Sequence, residues 1–332
     1  MRPTPTPIPT TFLSRNNLHL SAHLYPASPN APSRAGAAII IAHPWTSIKE
    51  QSPANYARHL SAAGFTCLTY DAAHHGESPG HPRHLEDPYQ RVEEIKDAAT
   101  HLATNLPDLV DPTRIGVLGI CAAGGYATFA AQTDVRLRAV ATVSAACVGE
   151  LVRRGGSLAQ HAVNPDILEM QLALAAKDRT TTTTTTTTTI TAVTPNQKDD
   201  KDEGLVRMLP QRYEDLSPDA PPAMRDFAAY YCTTRGYHPR AVGVARARSW
   251  DLMANFEAFR FMDRICPRPV LMVVGGRAES RWVSEAAVER AREPKEVFVV
   301  EGRSHADLYD RVEEEGVGEK LVQFFEGGLV GL

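Results

Sequence analysis

The stretch that decides the fold is RIGVLGICAAGGYATFAAQ, which runs from Arg114 to Gln132. It begins as an apolar run with β-branched residues and then passes through small residues into a segment compatible with a helix. A strand, a tight turn and a helix in this order hold the residue at the apex on a strained turn, where bulky neighbours would collide. Gly119 and Ala123 are the small neighbours, and the residue between them at the apex is Cys121.

This stretch alone leaves two interpretations of Cys121 open. The N-terminus of the following helix favours a thiolate, which is the form that acts as a nucleophile. A free cysteine is also among the most buried residue types and often fills a turn as a small apolar residue. The remaining sequence has to decide between them, because a cysteine nucleophile needs a base and a group that orients the base.

Strand and helix patterns alternate on both sides of the stretch. Apolar, strand-like runs occur at AAIIIA, FTCLTY, RIGVLG, RAVATV, VLMVVG and KEVFVV, and helix patterns separate them. Continuous apolar strands alternating with helices predict an α/β fold with a mostly parallel central sheet and helices on both faces. Before the first of these runs, TFLSRNNLHLSAHLYPA alternates apolar and polar residues around Asn16-Asn17, which predicts a hairpin.

The alternating pattern is interrupted once. We expect residues 10–146 and 264–330 to form the core and residues 147–263 to form a helical cap inserted into it. The cap contains a threonine tract and a polar run, and residues 178–203 are predicted to be disordered because they offer no apolar face. Residues 1–9 are predicted to be a mobile tail, and the last segment, from His305 to about residue 327, is predicted to be one final helix.

Composition excludes several classes of function. The chain has 332 residues, 43% hydrophobic and 22% charged, with a formal net charge of −4 and no basic stripe, so we expect no nucleic-acid partner. No apolar run approaches the ~20 residues that span a bilayer, and the N-terminus lacks the apolar region of a signal peptide. Five scattered cysteines without a metal-ligand spacing predict reduced thiols in a cytoplasmic protein, with no metal and no cofactor.

A base and an acid follow later strands in the expected order. Enzymes built on such an elbow place the nucleophile first, then the acid, then the histidine. Glu279 comes after the strand VLMVVG, and His305 comes after the strand KEVFVV. Both positions are at the carboxyl ends of parallel strands, where α/β sheets carry their sites. We therefore predict a Cys121–His305–Glu279 triad, with Glu150 and Asp307 as the alternative acids.

An oxyanion hole needs two backbone N–H groups. The sequence predicts Ala122, directly after the nucleophile, for one of them. It predicts Trp45 or Thr46, in the turn after AAIIIAHPW, for the other. His43 and the segment HHGES (74–78) are interpreted as residues that hold these loops by hydrogen bonds.

The motifs AHPWTSIKEQ, DAAHHGES, LGICAAGGYA, YYCTTRGYHPR, CPRPVLMVVGG and VEGRSHADLYD together resemble one branch of the α/β-hydrolases. The branch contains fungal polyketide acyltransferases, trans-acting polyketide thioesterases and related bacterial hydrolases. The similarity runs from about residue 10 to residue 326, except for the threonine-rich insert. It implies an α/β-hydrolase fold and an enzyme that acts on acyl groups.

A cysteine in place of serine indicates which acyl chemistry to expect. Attack of Cys121 on a thioester forms another thioester, so the first transfer is nearly neutral and the acyl-enzyme stays reactive. This suits transfer of a polyketide-like chain, presented by an acyl carrier protein, to a hydroxyl, which could be internal and form a lactone, or to water. The alternatives are an ester or lactone hydrolase of the dienelactone-hydrolase type and an inactive binding protein. Aromatic residues are predicted to line the acyl pocket: Trp45, Tyr230, Tyr231 and Phe256.

Overall fold

A computed structural model of the chain describes residues 6–160, 163–181 and 204–331. Ten strands occur in these ranges: β1 (Ile8–Leu13), β2 (His19–Tyr25), β3 (Ala38–Ala42), β4 (Thr66–Tyr70), β5 (Ile115–Ile120), β6 (Leu137–Val143), β7 (Leu205–Arg207), β8 (Val244–Arg246), β9 (Val270–Gly275) and β10 (Lys295–Val300).

Eight of the strands form one central sheet in the spatial order β1-β2-β4-β3-β5-β6-β9-β10. The first two strands form the predicted hairpin and join the sheet antiparallel, and all later pairings are parallel. In the middle of the sheet Ile40 lies opposite Leu68 on one side and opposite Val117 on the other. Strands β3, β4 and β5 are buried along their whole length, which confirms the prediction from their continuous apolar sequences.

Nine helices occur in the described ranges: α1 (Ser52–Ala62), α2 (Pro88–Asn105), α3 (Ala122–Ala131), α4 (Val148–Arg153), α5 (Pro165–Thr181), α6 (Pro222–Tyr231), α7 (Ser249–Ala254), α8 (Arg281–Arg290) and α9 (Val317–Leu329). Helices α1 and α9 pack on one face of the sheet, and α2, α3 and α8 pack on the other. The alternating strand and helix patterns are therefore confirmed as a sheet covered on both faces.

The central sheet takes its strands from residues 8–143 and 270–300. The intervening chain contributes helices α4 to α7 and a separate two-stranded sheet in which β7 and β8 run antiparallel. The division into a core and an inserted cap at residues 147–263 stays a prediction. In the ranges that the structure covers, no helix is both long and apolar enough to cross a bilayer.

Four predicted boundaries were wrong. The first strand already begins at Ile8, inside the predicted tail, because residues 8–13 pair with β2. Helix α5 continues to Thr181, since Asp178 is buried and its carboxylate pairs with Arg246 and Arg248. Residues 182–203, the rest of the predicted disordered segment, lie outside the described residues.

The other two corrections concern helix starts. The sequence SPANYARHLSAAG predicts a helix with Ser52 at its N-cap position, but in helix α1 this position is taken by Gln51. The final helix starts only at Val317, because Gly316 has a φ of 76°, which interrupts a right-handed helix. The segment before it contains a short 3-10 turn at Ala306–Tyr309, and His305 is the residue that precedes this turn.

Candidate active site

Cys121 lies on a sharp turn between β5 and α3, as the sequence predicts. Its φ of 55° and ψ of −118° are rare for a residue with a side chain, so the turn is strained. The backbone holds this conformation, because the N–H of Cys121 donates to the carbonyl of Val143 at 2.9 Å and its own carbonyl accepts from Ala146 at 2.9 Å. A Cβ on Gly119 would lie 2.1 Å from the carbonyl oxygen of Ala123, so the turn requires glycine there.

Cys121 contacts the hydrophobic residues that cover both faces of the central sheet. The residue is half-buried and packs against the hydrophobic clusters on either face of the sheet. The Tyr309 hydroxyl and the backbone N–H of Ala122, as hydrogen-bond donors toward the thiolate form, lower the pKa of this thiol. Burial nevertheless raises the pKa of the Cys121 thiol to about 11. The thiolate expected from the helix N-terminus is therefore not the resting form, because desolvation outweighs these two hydrogen bonds.

His305 lies on the loop after β10, and it is almost completely buried. Its Nδ1 is 2.6 Å from the Ser280 hydroxyl oxygen, and its Nε2 is 3.1 Å from the Tyr309 hydroxyl oxygen. Burial lowers the pKa of His305 to about 3, so its imidazole is neutral at pH 7. The Ser144 hydroxyl also donates to the carbonyl of His305 at 2.9 Å, which ties the loop to the end of β6.

The structure places Ser280, rather than Glu279, against the imidazole. Glu279 is half-buried, and in the part of the chain that the structure describes no hydrogen bond joins it to His305. The alternative acids are occupied elsewhere. Glu150 pairs with Arg154 at 3.1 Å, and Asp307 accepts from the N–H of Ser304 at 3.0 Å. The acid of the triad therefore stays a prediction, and the observed partner of Nδ1 is a hydroxyl.

The loop predicted to supply the second oxyanion donor is held in a strained shape. Thr46 has a φ of 61°, which is unfavourable for a β-branched residue. His43, fully buried and neutral because burial holds its pKa well below the usual value, accepts from the N–H of Ala72 at 3.0 Å. Its Nδ1 lies 2.7 Å from the Pro44 carbonyl oxygen. These contacts agree with a loop-holding role for His43, and the N–H groups of Ala122 and Trp45 stay the predicted oxyanion donors.

The HHGES segment is also tied down by hydrogen bonds. His74 Nδ1 lies 2.9 Å from the Pro82 carbonyl oxygen, and the Ser78 hydroxyl donates to the Asp71 carbonyl at 2.5 Å. His75 Nε2 lies 3.0 Å from both the Leu85 carbonyl oxygen and Glu86 Oε2. These contacts support the interpretation of the segment as a structured loop.

A buried charge cluster beneath the elbow was missed by the sequence analysis. Glu86 is fully buried, and both its oxygens accept from Arg91 Nη1, at 3.0 and 3.1 Å. The Tyr126 hydroxyl also donates to this carboxylate, at 2.7 Å. Arg91 in turn donates to the His43 carbonyl at 2.6 Å, so the cluster supports the oxyanion loop. Although burial alone would raise it, the pKa of Glu86 is lowered, because Arg91 and the hydrogen bonds outweigh desolvation.

The predicted pocket aromatics separate into two groups. Trp45 is half-buried and packs on the same core cluster as Cys121, with an indole N–H that has no hydrogen-bond partner among the described residues. Tyr230 and Tyr231 pack against Tyr309, with ring centroids 5.1 and 6.0 Å away. Phe256 instead lies in the core with no exposed surface, against the rings of three other aromatic residues. For Phe256, core packing explains the residue better than a pocket wall.

The cap segment that carries these tyrosines also clamps the histidine loop. The Asp226 carboxylate accepts from the Ser304 hydroxyl at 2.6 Å and from the N–H of Ala306 at 2.8 Å. Arg235 forms an ion pair with Asp310 at 2.7 Å. Asp226 of α6 and Arg235 of the motif YYCTTRGYHPR therefore position the loop of His305, a role that their sequence did not reveal.

One group of carboxylates has the geometry of a cation site. Oxygens of Glu50, Asp71 and Glu77 lie within 4.8 Å of one another. The buried ammonium of Lys49 already occupies their centre, 2.7 Å from Asp71 and Glu77 and 3.0 Å from Glu50. Arg240 of the cap adds a second cation against Glu50 at 2.5 Å. Two cationic side chains of the protein already pair with these carboxylates, so the donor set does not fit a metal ion.

Ser280 and Tyr309 are the site residues that sequence reasoning missed. Tyr309 could have been found, because it follows His305 by four residues and a helical turn places such residues side by side. Ser280 is adjacent to the predicted Glu279, and nothing in the local sequence indicates which of the two faces the imidazole.

The chain is similar in sequence and in fold to known proteins. A model of the alpha/beta hydrolase family matches residues 39–315. YcjY of Escherichia coli K12 is 34% identical over 303 residues, which cover 90% of this chain and 92% of YcjY. The crystal structure of PA2218 from Pseudomonas aeruginosa superposes with a TM-score of 0.83 at 30% identity, covering 98% of this chain and 95% of that one.

A third match is GrgF from Penicillium sp., a protein named as a polyketide transferase. Its sequence is 25% identical over 89% of this chain and 88% of its own length. Its crystal structure, with a TM-score of 0.75 at 22% identity over 98% of this chain and 100% of that one, has the same fold. Together with the family match over residues 39–315, the elbow and the sheet order show that this chain belongs to the alpha/beta hydrolase family.

Proposed function

We propose that the chain is a cysteine-dependent thioesterase or acyltransferase. Cys121 takes an acyl chain from a thioester, and the acyl-enzyme is resolved by a hydroxyl or by water. The observation that carries the proposal is the position of Cys121 at the apex of the strained turn between β5 and α3. The name of GrgF, a polyketide transferase, supports acyl transfer as the reaction class.

The roles of the site residues follow from their positions. Cys121 is the nucleophile, and His305 is the general base, because its imidazole is neutral at pH 7 and one ring nitrogen has a lone pair that can accept a proton. The N–H groups of Ala122 and Trp45 are proposed to stabilise the oxyanion of the tetrahedral intermediate. Ser280 holds Nδ1 of His305 in place, and Glu279 is proposed to support the same loop electrostatically.

The first experiment is intact-mass measurement after mixing the protein with an acyl N-acetylcysteamine thioester. We expect an acyl adduct on Cys121 in the wild type and none in Cys121→Ala, which removes the nucleophile without adding bulk. A wild type that forms no adduct would favour the inactive binding protein. Turnover by Cys121→Ala above a few per cent of the wild type would exclude the covalent mechanism.

Two further experiments test the substrate and the support of the base. Delivery of the same acyl group on an acyl carrier protein tests whether a carrier presents the substrate, with a higher kcat/KM than the small thioester as the expected result. Comparison of Glu279→Gln with Ser280→Ala tests the support of His305. A larger loss of turnover in Glu279→Gln would assign the acid to Glu279, and a larger loss in Ser280→Ala would assign the orienting role to the hydroxyl.

A further inference from the structure

The oxyanion loop (residues 43–51) connects β3 to α1 and lies beside the elbow, because Ala42 pairs with Gly119 at the carboxyl ends of two neighbouring parallel strands. The loop turns sharply at Thr46, whose φ is 61°. A β-branched residue keeps such a φ only where its surroundings impose it. The contacts that hold this loop therefore set the direction of the N–H of Trp45, the predicted oxyanion donor.

One buried side chain holds the loop from within. Gln51 is at the N-cap position of α1 and is almost completely buried. Its Oε1 accepts from the Ser47 hydroxyl at 2.8 Å and from the N–H of Ile48 at 3.2 Å. Its Nε2 donates to the carbonyl of Gly236 at 2.5 Å, in the segment 233–240 that follows α6. Gln51 therefore joins the oxyanion loop to this segment.

The orientation of the Gln51 carboxamide is fixed by its partners. The N–H of Ile48 can only donate, so the atom that it meets is the amide oxygen. The carbonyl of Gly236 can only accept, so the atom that it meets is the amide nitrogen. A glutamate at this position would place an oxygen against the carbonyl oxygen, so the pair of contacts requires the amide.

The partner of Gln51 is itself closely packed. A Cβ on Gly236 would lie 2.4 Å from ring atoms of Tyr230, so the backbone of the segment lies directly on that ring. Arg240 of the same segment pairs with Glu50 at 2.5 Å and with Glu77 at 3.3 Å. The segment 233–240 therefore contacts the oxyanion loop at two consecutive residues.

The same segment also contacts the loop of His305. Arg235 pairs with Asp310 at 2.7 Å. From the first turn of α1, the Asn55 side-chain amide donates to the Tyr309 carbonyl at 3.1 Å. The segment and the start of α1 therefore connect the loop of the predicted oxyanion donor to the loop of the base.

We propose that Gln51 is a positioning residue that holds the oxyanion loop against the segment 233–240, an inference that rests on the proposed function. Its carboxamide keeps the N–H of Trp45 directed at the oxygen of the acyl group while the segment holds the loop of His305. The oxyanion develops only in the transition state, so a misplaced donor lowers the rate of acylation and leaves binding of the thioester unchanged.

The test compares two reactions of the same thiol. Acylation by the N-acetylcysteamine thioester, followed by intact mass in a single turnover, passes through an oxyanion, whereas alkylation by iodoacetamide does not. Gln51→Met keeps the length of the side chain and removes its three hydrogen bonds. We expect acylation at saturating thioester to slow by about 10- to 100-fold. The half-saturating concentration and the alkylation rate of Cys121 should stay those of the wild type.

Gln51→Glu isolates the contact with the segment. Its carboxylate still accepts from Ser47 and Ile48 but cannot donate to the carbonyl of Gly236, so acylation should slow by about 10-fold. Ser47→Ala removes one hydrogen bond on the other side of the carboxamide and should slow acylation by about 3- to 10-fold. This third variant decides the question if neither variant of Gln51 folds.

Gln132→Met is the matched control. Gln132 is also a buried glutamine that donates to a backbone carbonyl, that of Ala258, at 2.7 Å. It lies at the C-cap of α3, at the opposite end of this helix from Cys121. This variant should acylate and alkylate at the rates of the wild type. Urea unfolding of all variants shows which of them are folded.

Three results would overturn the proposal. The first is a folded variant of Gln51 that acylates within about threefold of the wild type. The second is alkylation that slows as much as acylation, because the defect then lies in the thiol and not in the oxyanion loop. The third, where neither variant of Gln51 folds, is an unchanged acylation rate in Ser47→Ala. A wild type that forms no adduct on Cys121 overturns the proposed function itself, which is a different result.

Discussion

Glu86→Gln tests the buried cluster that supports the oxyanion loop. Glu86 and Arg91 are both almost completely buried and are joined by two hydrogen bonds of 3.0 and 3.1 Å. The substitution keeps the shape of the side chain and removes its charge, which leaves the Arg91 guanidinium buried without a counter-charge. Removal of one partner from a buried ion pair costs about 3–5 kcal/mol. We expect the free energy of unfolding to fall by this amount.

The assay is urea unfolding at pH 7, followed by circular dichroism, with the change in the transition midpoint converted through the slope. Adding Arg91→Met to Glu86→Gln should recover part of the loss, because the unpaired charge is then gone. Glu285→Gln is the control, since Glu285 pairs with Arg281 on the surface and should give no measurable change.

The same variant should affect turnover. Arg91 donates to the His43 carbonyl at 2.6 Å, and His43 begins the loop of the predicted oxyanion donor. An unpaired guanidinium is expected to shift and to disturb this loop, so kcat should fall while the folded fraction at pH 7 stays high. A loss of stability below about 1 kcal/mol would refute the reasoning, since it would mean that the cluster behaves like an exposed pair.

Three further predictions address the site and its surroundings. Cys121 should react with iodoacetamide more slowly than free cysteine at pH 7, because the pKa of its thiol is raised to about 11. The rate of this reaction should still rise above pH 9. A rate that levels off near pH 6 would indicate a thiolate instead. Phe256→Ala should lower the free energy of unfolding by about 3–5 kcal/mol, because the ring has no exposed surface; a changed KM at unchanged stability would restore it to the substrate pocket. Burial lowers the pKa of His305 to about 3, so between pH 6.5 and pH 3 the unfolded chain binds a proton that the folded protein does not. The free energy of unfolding should therefore fall as the pH falls through this window. Urea unfolding should show a smaller fall between pH 7 and pH 5 for His305→Gln than for the wild type.

The elements that were predicted well are those whose signals are local. The run RIGVLGICAAGGYATFAAQ predicts a strand, a turn and a helix, and the structure has β5, Cys121 and α3 at these positions. The hairpin around Asn16-Asn17 was also predicted from a local signal, because the alternation of apolar and polar residues on both sides of a turn specifies it without distant contacts. Boundaries such as the start of α9 depend on single residues with unusual dihedral angles, and these are not visible in a periodic pattern.

The sequence by itself determined the fold class, the apex position of Cys121 and the place of His305 after a late strand, because strand, turn and helix preferences act over a few neighbouring residues. Only the tertiary structure decided which group meets each nitrogen of the imidazole. Glu279 and Ser280 are adjacent in one turn, and their orientation depends on how β9 and the histidine loop pack. Tyr309 meets Nε2 of His305, and its ring packs against Tyr230 of α6. The protonation states of Cys121 and His305 follow from burial, which arises only in the folded chain.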